Sequence, residues 1–129
     1  MAAEPRYLLD TNICIFILDA SLPRLRQRLE QVDEGALATS TIVLAELLRG
    51  TDLGSEHEMQ RLQSLLAVIP ALAFDEAAAQ VYARLPFRRG RFDGLIAAHA
   101  LSRGLTVVTS NGRDFSDVPG LQVEDWTRP

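Results

Sequence analysis

The chain reads as an α/β protein, with a central parallel sheet and helices over both faces. Three observations predict this. Short apolar or β-branched runs recur at YLLD (7–10), ALATS (36–40) and LTVVTS (105–110). Segments of helical periodicity, ended by glycine or proline, stand between them. Strands that alternate with helices in this way form parallel sheets buried on both sides, joined by right-handed crossovers.

In order, YLLD is a buried strand and TNICIFIL (11–18) a helix that follows at once. Pro23 suits a first helical turn, so 23–33 is a second helix, closed near Gly35. ALATS is the next strand. Ser40 or Thr41 caps a helix carrying IVLAELLRG, which ends at Gly50. SEHEMQRLQSLL (55–66) has helical spacing, and AVIPAL (67–72) is a short extended piece. Asp75 to Arg84 is a helix stopped by Pro86. FDGLIAAHALSRG (92–104) is a helix with a glycine stop, LTVVTS the clearest strand, and QVEDW (122–126) a last short one.

The 129 residues, 47% apolar and 23% charged, are enough for a core without disulfides or structural zinc, so a single domain over 1–129 is expected. One cysteine, Cys14, cannot form an internal disulfide, and with two histidines it makes no zinc framework. A reducing cytosol is the expected compartment. The start, MAAEPRYLLD, places an acid and a proline where an export leader needs a basic and then an apolar stretch. No apolar run approaches the ~20 residues of a membrane span. The net charge is −4, yet all 13 basic residues are arginines, and Arg84, Arg88, Arg89 and Arg91 fall close together. Arginine binds phosphate in a bidentate, permanently charged fork; the bland alternative is a solvated turn.

Four carboxylates fall near the C-terminal ends of strands, where open α/β sheets place their sites. Asp10 closes the first strand. Glu46 interrupts an apolar helix and shares a face with Ile42 and Val43, where an unpaired charge is costly. Asp93 opens the helix before LTVVTS, and Asp114 lies just beyond that strand. Each has an ordinary explanation: a helix cap for Asp10, solvent exposure for Glu46, the helix dipole for Asp93, a plain loop for Asp114. Brought together, they would repel unless a hard cation such as Mg²⁺ or Mn²⁺ joined them. The chemistry that follows is metal-assisted phosphodiester hydrolysis. Aspartyl-phosphate chemistry and a P-loop are set aside, because both need a lysine and the chain has none.

LLDTNICIFIL, TIVLAELLRG, FDGLIAAHALSRGLTVVTSN and DFSDVPGLQVEDW resemble, in order and over nearly the whole chain, the PIN-domain family and its VapC-type toxins. The resemblance implies a three-layer α/β/α sandwich and an Mg²⁺- or Mn²⁺-dependent endoribonuclease of a VapBC toxin–antitoxin pair, with tRNA the leading substrate class. It also implies a homodimer and a VapB-type antitoxin partner. The family's acids match Asp10, Glu46 and Asp93 as catalytic and metal-holding residues. At the fourth position Asn111 replaces an acid that many relatives have, and Asp114 stands nearby to supply the charge. Thr11, Asn12, Ser40, Thr109 and Asn111 are the polar residues expected to support them. The segment before the third acid is compressed to LPFRRGRFD, which sets Arg88, Arg89 and Arg91 against Asp93 as RNA contacts. Two alternatives stay open: an RNA-processing PIN nuclease outside toxin–antitoxin systems, and a catalytically silent binding module. His99 reads as a core or surface residue rather than a ligand, and His57 as solvated. Cys14, Phe16, Leu18 and Trp126 read as packing residues.

Overall fold

The computed structural model describes residues 4–33, 35–86 and 92–129. The elements are β1 (Tyr7–Leu9), α1 (Thr11–Asp19), α2 (Pro23–Glu30), β2 (Leu37–Ser40), α3 (Thr41–Arg49), α4 (Glu56–Val68), β3 (Ala71–Leu72), α5 (Glu76–Arg84), α6 (Phe92–Arg103), β4 (Thr106–Val108) and β5 (Val123–Glu124). A short 3₁₀ turn, Gly112–Phe115, follows β4. Five strands form one sheet in the order β3-β2-β1-β4-β5, with every neighbouring pair parallel.

Consecutive strand residues point to opposite faces. Leu8 and Leu9 of β1 are both fully buried, as are Val107 and Val108 of β4, so both faces of the sheet are covered. This is the expected α/β/α sandwich. The core joins these residues to Ile13, Val43, Leu62, Ile96 and Trp126, drawn from helices on both layers and from the C-terminal segment.

Several elements are shorter than their sequence patterns suggest. β4 covers only Thr106–Val108; the Thr109 amide still donates to the Glu124 carbonyl, and the chain then turns as the Asn111 amide closes onto Thr109 Oγ1. β5 is cut to two residues, since Thr127 folds back to donate both its amide and its hydroxyl to the Asp125 carboxylate. AVIPAL splits: α4 runs on to Val68, and only Ala71–Leu72 pair with β2. α6 ends at Gly104, whose φ of 66° lies in the left-handed region that glycine enters without penalty.

The strand order contains one reversal. The chain steps from β1 to β2 to β3 on one side, then crosses over to β4 on the other side of β1. The C-terminal ends of β1 and β4 therefore flank the switch point, the usual binding crevice of an open parallel sheet.

Candidate active site

Asp10 sits at this switch point. Its backbone amide donates to the Val108 carbonyl of β4 (3.1 Å), and its side chain caps α1 by accepting the Ile13 amide (3.0 Å). Beside it, Thr39 donates its hydroxyl to the Leu9 carbonyl at 2.7 Å, which pins the end of β1 to β2. Asp10 is 6% exposed. Burial pushes its carboxyl up from the ordinary 3.8 to about 6, against the Thr109 hydroxyl and the Ile13 amide, which favour the charge. The charges of Asp93 and Glu46 raise it further.

Glu46 is half-buried on the second turn of α3, and Thr11 donates its hydroxyl to Glu46 Oε1 at 2.6 Å across the α1–α3 boundary. Asp93 is half-buried in the first turn of α6, where the helix dipole favours its charge. The structure thus brings Asp10, Glu46 and Asp93 into one electrostatic neighbourhood. Among the described residues, no three His, Cys, Asp or Glu side chains form a preformed metal cage. Mg²⁺ takes few carboxylates directly, filling its octahedron with water and phosphate oxygen. A donor set of hard oxygens, one buried and two half-buried, suits such a water-rich ion and offers nothing to a thiolate- or imidazole-bound one.

The fourth position resolves differently from either expected alternative. Asn111 and Asp114 are a pair: Asn111 Nδ2 donates to Asp114 Oδ2 at 2.7 Å, and the Asn111 amide donates to Thr109 Oγ1 at 3.0 Å. Thr109, fully buried, therefore links the Asn111–Asp114 turn to Asp10. Asp114 reaches the centre through this chain of polar contacts, while the charges acting on Asp10 are those of Asp93 and Glu46.

Asn12 is exposed on the first turn of α1. Ser40 does not touch the acids. It is fully buried, caps α3 by accepting the Ile42 amide (3.0 Å), and meets His99 Nδ1 at 2.7 Å. His99 is itself fully buried, edge-on to Phe74 with ring centroids 5.6 Å apart. Burial holds its pKa below the ordinary 6.5, reinforced by Arg103 and opposed by Asp75 and the Ala73 carbonyl. A neutral imidazole protonated on Nε2 lets the Ser40 hydroxyl donate to Nδ1; Nε2 makes no well-formed hydrogen bond among the described residues, the Ala73 carbonyl acting on it only weakly. Sequence reasoning missed this brace between the helices that bear Glu46 and Asp93. The signal for it was a histidine amid the small apolar residues of IAAHA, on a helix buried nearly all round. Thr39 was also missed; its mark was a hydroxyl in the fully buried strand LATS, just before Ser40.

Cys14 is buried, its thiol pushed up to about 12, mainly by burial, so it offers no nucleophile. His57 is exposed, and Trp126 is a buried packing anchor, its ring edge-on to Tyr7 at 4.9 Å. Arg88, Arg89 and Arg91 lie outside the described residues.

The PIN domain family model matches residues 7–121, a span that contains Asp10, Glu46, Asp93 and Asp114. The chain belongs to the PIN-domain family. Within it, the chain is 38% identical to a protein of Shigella flexneri named tRNA(fMet)-specific endonuclease VapC, over 95% of this chain and 98% of the relative. It is 30% identical to ribonuclease VapC2 of Rickettsia felis, over 95% and 98%. A crystal structure of VapBC2 from Rickettsia felis, bound to a promoter DNA fragment, superposes with a TM-score of 0.83 at 30% identity, covering 93% of this chain and 98% of that one. DNA-bound VapBC from Salmonella typhimurium gives 0.82 at 34% identity, covering 95% and 98%. The PIN fold and the VapC branch of the family are thus shown together.

Proposed function

We propose that this PIN protein is a metal-dependent endoribonuclease, the toxin of a type II toxin–antitoxin pair, which cuts RNA of the tRNA class and so inhibits translation. One observation carries the reading: Asp10 is buried at the sheet's switch point, with its carboxyl raised to about 6 and the charges of Asp93 and Glu46 acting on it. Each acid also has a local role, but three carboxylates acting on one another at a buried rim suit a hard cation and a phosphodiester. The relatives' names supply the substrate class, and the VapBC complexes supply the partner.

Asp10, Glu46 and Asp93 would hold Mg²⁺ or Mn²⁺, with Asp114 behind Asn111 and Thr109. A divalent ion bound there supplies charge neutralisation at the scissile phosphate and Lewis acidity. The chain's own residues do the rest by orientation. The Ile13 amide and the Thr109 hydroxyl hold Asp10, and Thr11 holds Glu46 by Oε1, which leaves Oε2 without a described donor. We assign the antitoxin to an apolar groove on the helical face. A groove of about 630 Å³ runs between α1–α2 and α4, lined by Ile17, Leu18, Leu29 and Val68, with Arg26 and Arg61 beside them. No helix among the described residues is long and apolar enough to cross a membrane. A cytoplasmic, homodimeric protein over one domain completes the proposal.

The test is cleavage of bulk tRNA by the purified chain. Mg²⁺ should support it, excess chelator should stop it, and Asp10→Ala should abolish it while keeping the circular dichroism of the fold. Induction in bacteria should arrest growth with the native chain alone. Cleavage that survives chelation would refute the mechanism.

A further inference from the structure

A polyanionic substrate needs cationic contacts close to the acids that cut it, and a chain of net charge −4 must place them locally. Among the described residues, two arginines lie in the segments that follow β4 and β5. Arg113 is in the 3₁₀ turn after β4, and Arg128 is just past β5. The other described arginines sit on α2 and α4, at the C-terminal ends of α3, α5 and α6, or ahead of β1.

Arg113 and Arg128 border the same depression, of about 530 Å³, together with Ser110, Asn111, Gly112 and Asp125. Its acid is already spoken for. One oxygen of Asp125 accepts both the amide and the hydroxyl of Thr127, and the other pairs with Arg128 Nε at 3.2 Å. That ion pair steadies the Arg128 arm by Nε and leaves its terminal nitrogens for an anion. Arg113 is exposed and forms no ion pair with another described residue. Gly112 also borders the depression, and an added Cβ there would meet nothing within 4 Å.

The depression is on the same rim as the acids. β4 neighbours β1, and β5 neighbours β4. Parallel strands lie about 4.8 Å apart, so the ends of β4 and β5 stand roughly 5–10 Å from the end of β1, where Asp10 is. That is within reach of a phosphate neighbouring the scissile one on the same strand. Asn111 stands between the two regions, bonded to Thr109 on one side and Asp114 on the other.

The geometry points to this depression as a phosphate-binding subsite for the RNA strand, with Arg113 and Arg128 as its two cationic arms. The inference rests on the ribonuclease reading and names where the substrate's backbone runs: from the acids across β4 toward β5.

The experiment uses the full chain, with bulk tRNA as the probe. Binding is measured in an Asp10→Asn background, so that the RNA stays intact, between about 50 and 200 mM salt; cleavage is measured separately with Asp10 present. Replacing both arginines (Arg113→Gln with Arg128→Gln) should weaken binding at least about tenfold at the lower salt. It should also lower the slope of log affinity against log salt by about 1.4, since each single-strand phosphate contact contributes about 0.7. In cleavage the same pair should raise KM and leave kcat within about twofold. Arg113→Lys with Arg128→Lys should restore the salt slope, and Arg6→Gln, ahead of β1, should change nothing. A doubly substituted chain that binds with the native affinity and slope overturns the subsite. A native chain that fails to cut tRNA overturns the ribonuclease reading instead, and the binding slope still decides the subsite.

Discussion

Replacing Asp10 with asparagine should make the protein more stable while it destroys the proposed activity. The carboxyl is raised from 3.8 to about 6, so the folded chain binds this proton more tightly than the unfolded chain does. The sign follows: stability from this group is complete below about pH 4 and is lost as pH rises through about 6. Two pH units correspond to about 3 kcal/mol that the ionised carboxylate withdraws from the fold at pH 7. Asparagine caps a helix as well as aspartate, so the bond from the Ile13 amide survives. The bond from Thr109 is the loss, because that hydroxyl oxygen already accepts the Asn111 amide and is poorly placed to receive an Nδ2 donor; this costs about 1 kcal/mol. The net gain is about 2 kcal/mol, or roughly 5–10 °C in melting temperature for a chain of this length. Thermal unfolding followed by circular dichroism in chelator reads it directly. The gain should be full at pH 7 and absent at pH 4. Added Mg²⁺ should raise the melting temperature of the native chain and leave that of Asp10→Asn in place. A variant that melts at or below the native chain at pH 7, or whose advantage persists at pH 4, would refute the electrostatic account.

Other outcomes follow from the same contacts. Thr11→Val removes the donor to Glu46 Oε1; metal-dependent cleavage should fall about 10–100-fold with little change in melting temperature. Ser40→Ala deletes the α3 cap and strands His99 Nδ1 in the core. The summed cost should be about 2–4 kcal/mol, seen as a lower urea midpoint that Ser40→Thr largely restores. His99 has its pKa held below 6.5 by burial, so the unfolded chain takes up this proton first as pH falls, and stability drops below about pH 6.5. In Asp10→Asn the opposing carboxyl effect is gone, so its melting temperature should decline more steeply from pH 7 to pH 5 than that of the native chain. Trp126→Ala should cost about 3–5 kcal/mol by urea denaturation, because the ring is 2% exposed and fills the core under β1.

The alternation of strand and helix was legible because both periods are local properties of the chain. The positions of Asp10 and Glu46 were legible for a related reason: a carboxylate that ends an apolar strand or interrupts an apolar helix breaks a pattern the reader already holds. Contacts between distant segments leave no such mark. Asn111 and Asp114 read as competing candidates for one role, and only the 3₁₀ turn between them shows that they bond to each other. Ser40 reads as support for the acids, but the strand geometry turns its hydroxyl to His99 instead. Strand lengths were overread at β4 and β5, since Thr109 and Asp125 have sheet-compatible neighbours yet commit their side chains to turn contacts. Nothing in the local pattern marks Arg113 and Arg128 as companions; they are 15 positions apart and meet because β5 lies beside β4.

The central place of β1 in the sheet has a consequence for synthesis. The first strand to leave the ribosome waits for one of the last, since Asp10 takes its backbone partner from Val108 and its hydroxyl donor from Thr109. At about 5–20 residues per second, some 5–20 s separate the two segments during translation. Through that interval a nascent chain has its leading carboxylate and no rim to hold it. The acidic centre therefore assembles only when almost the whole chain is out.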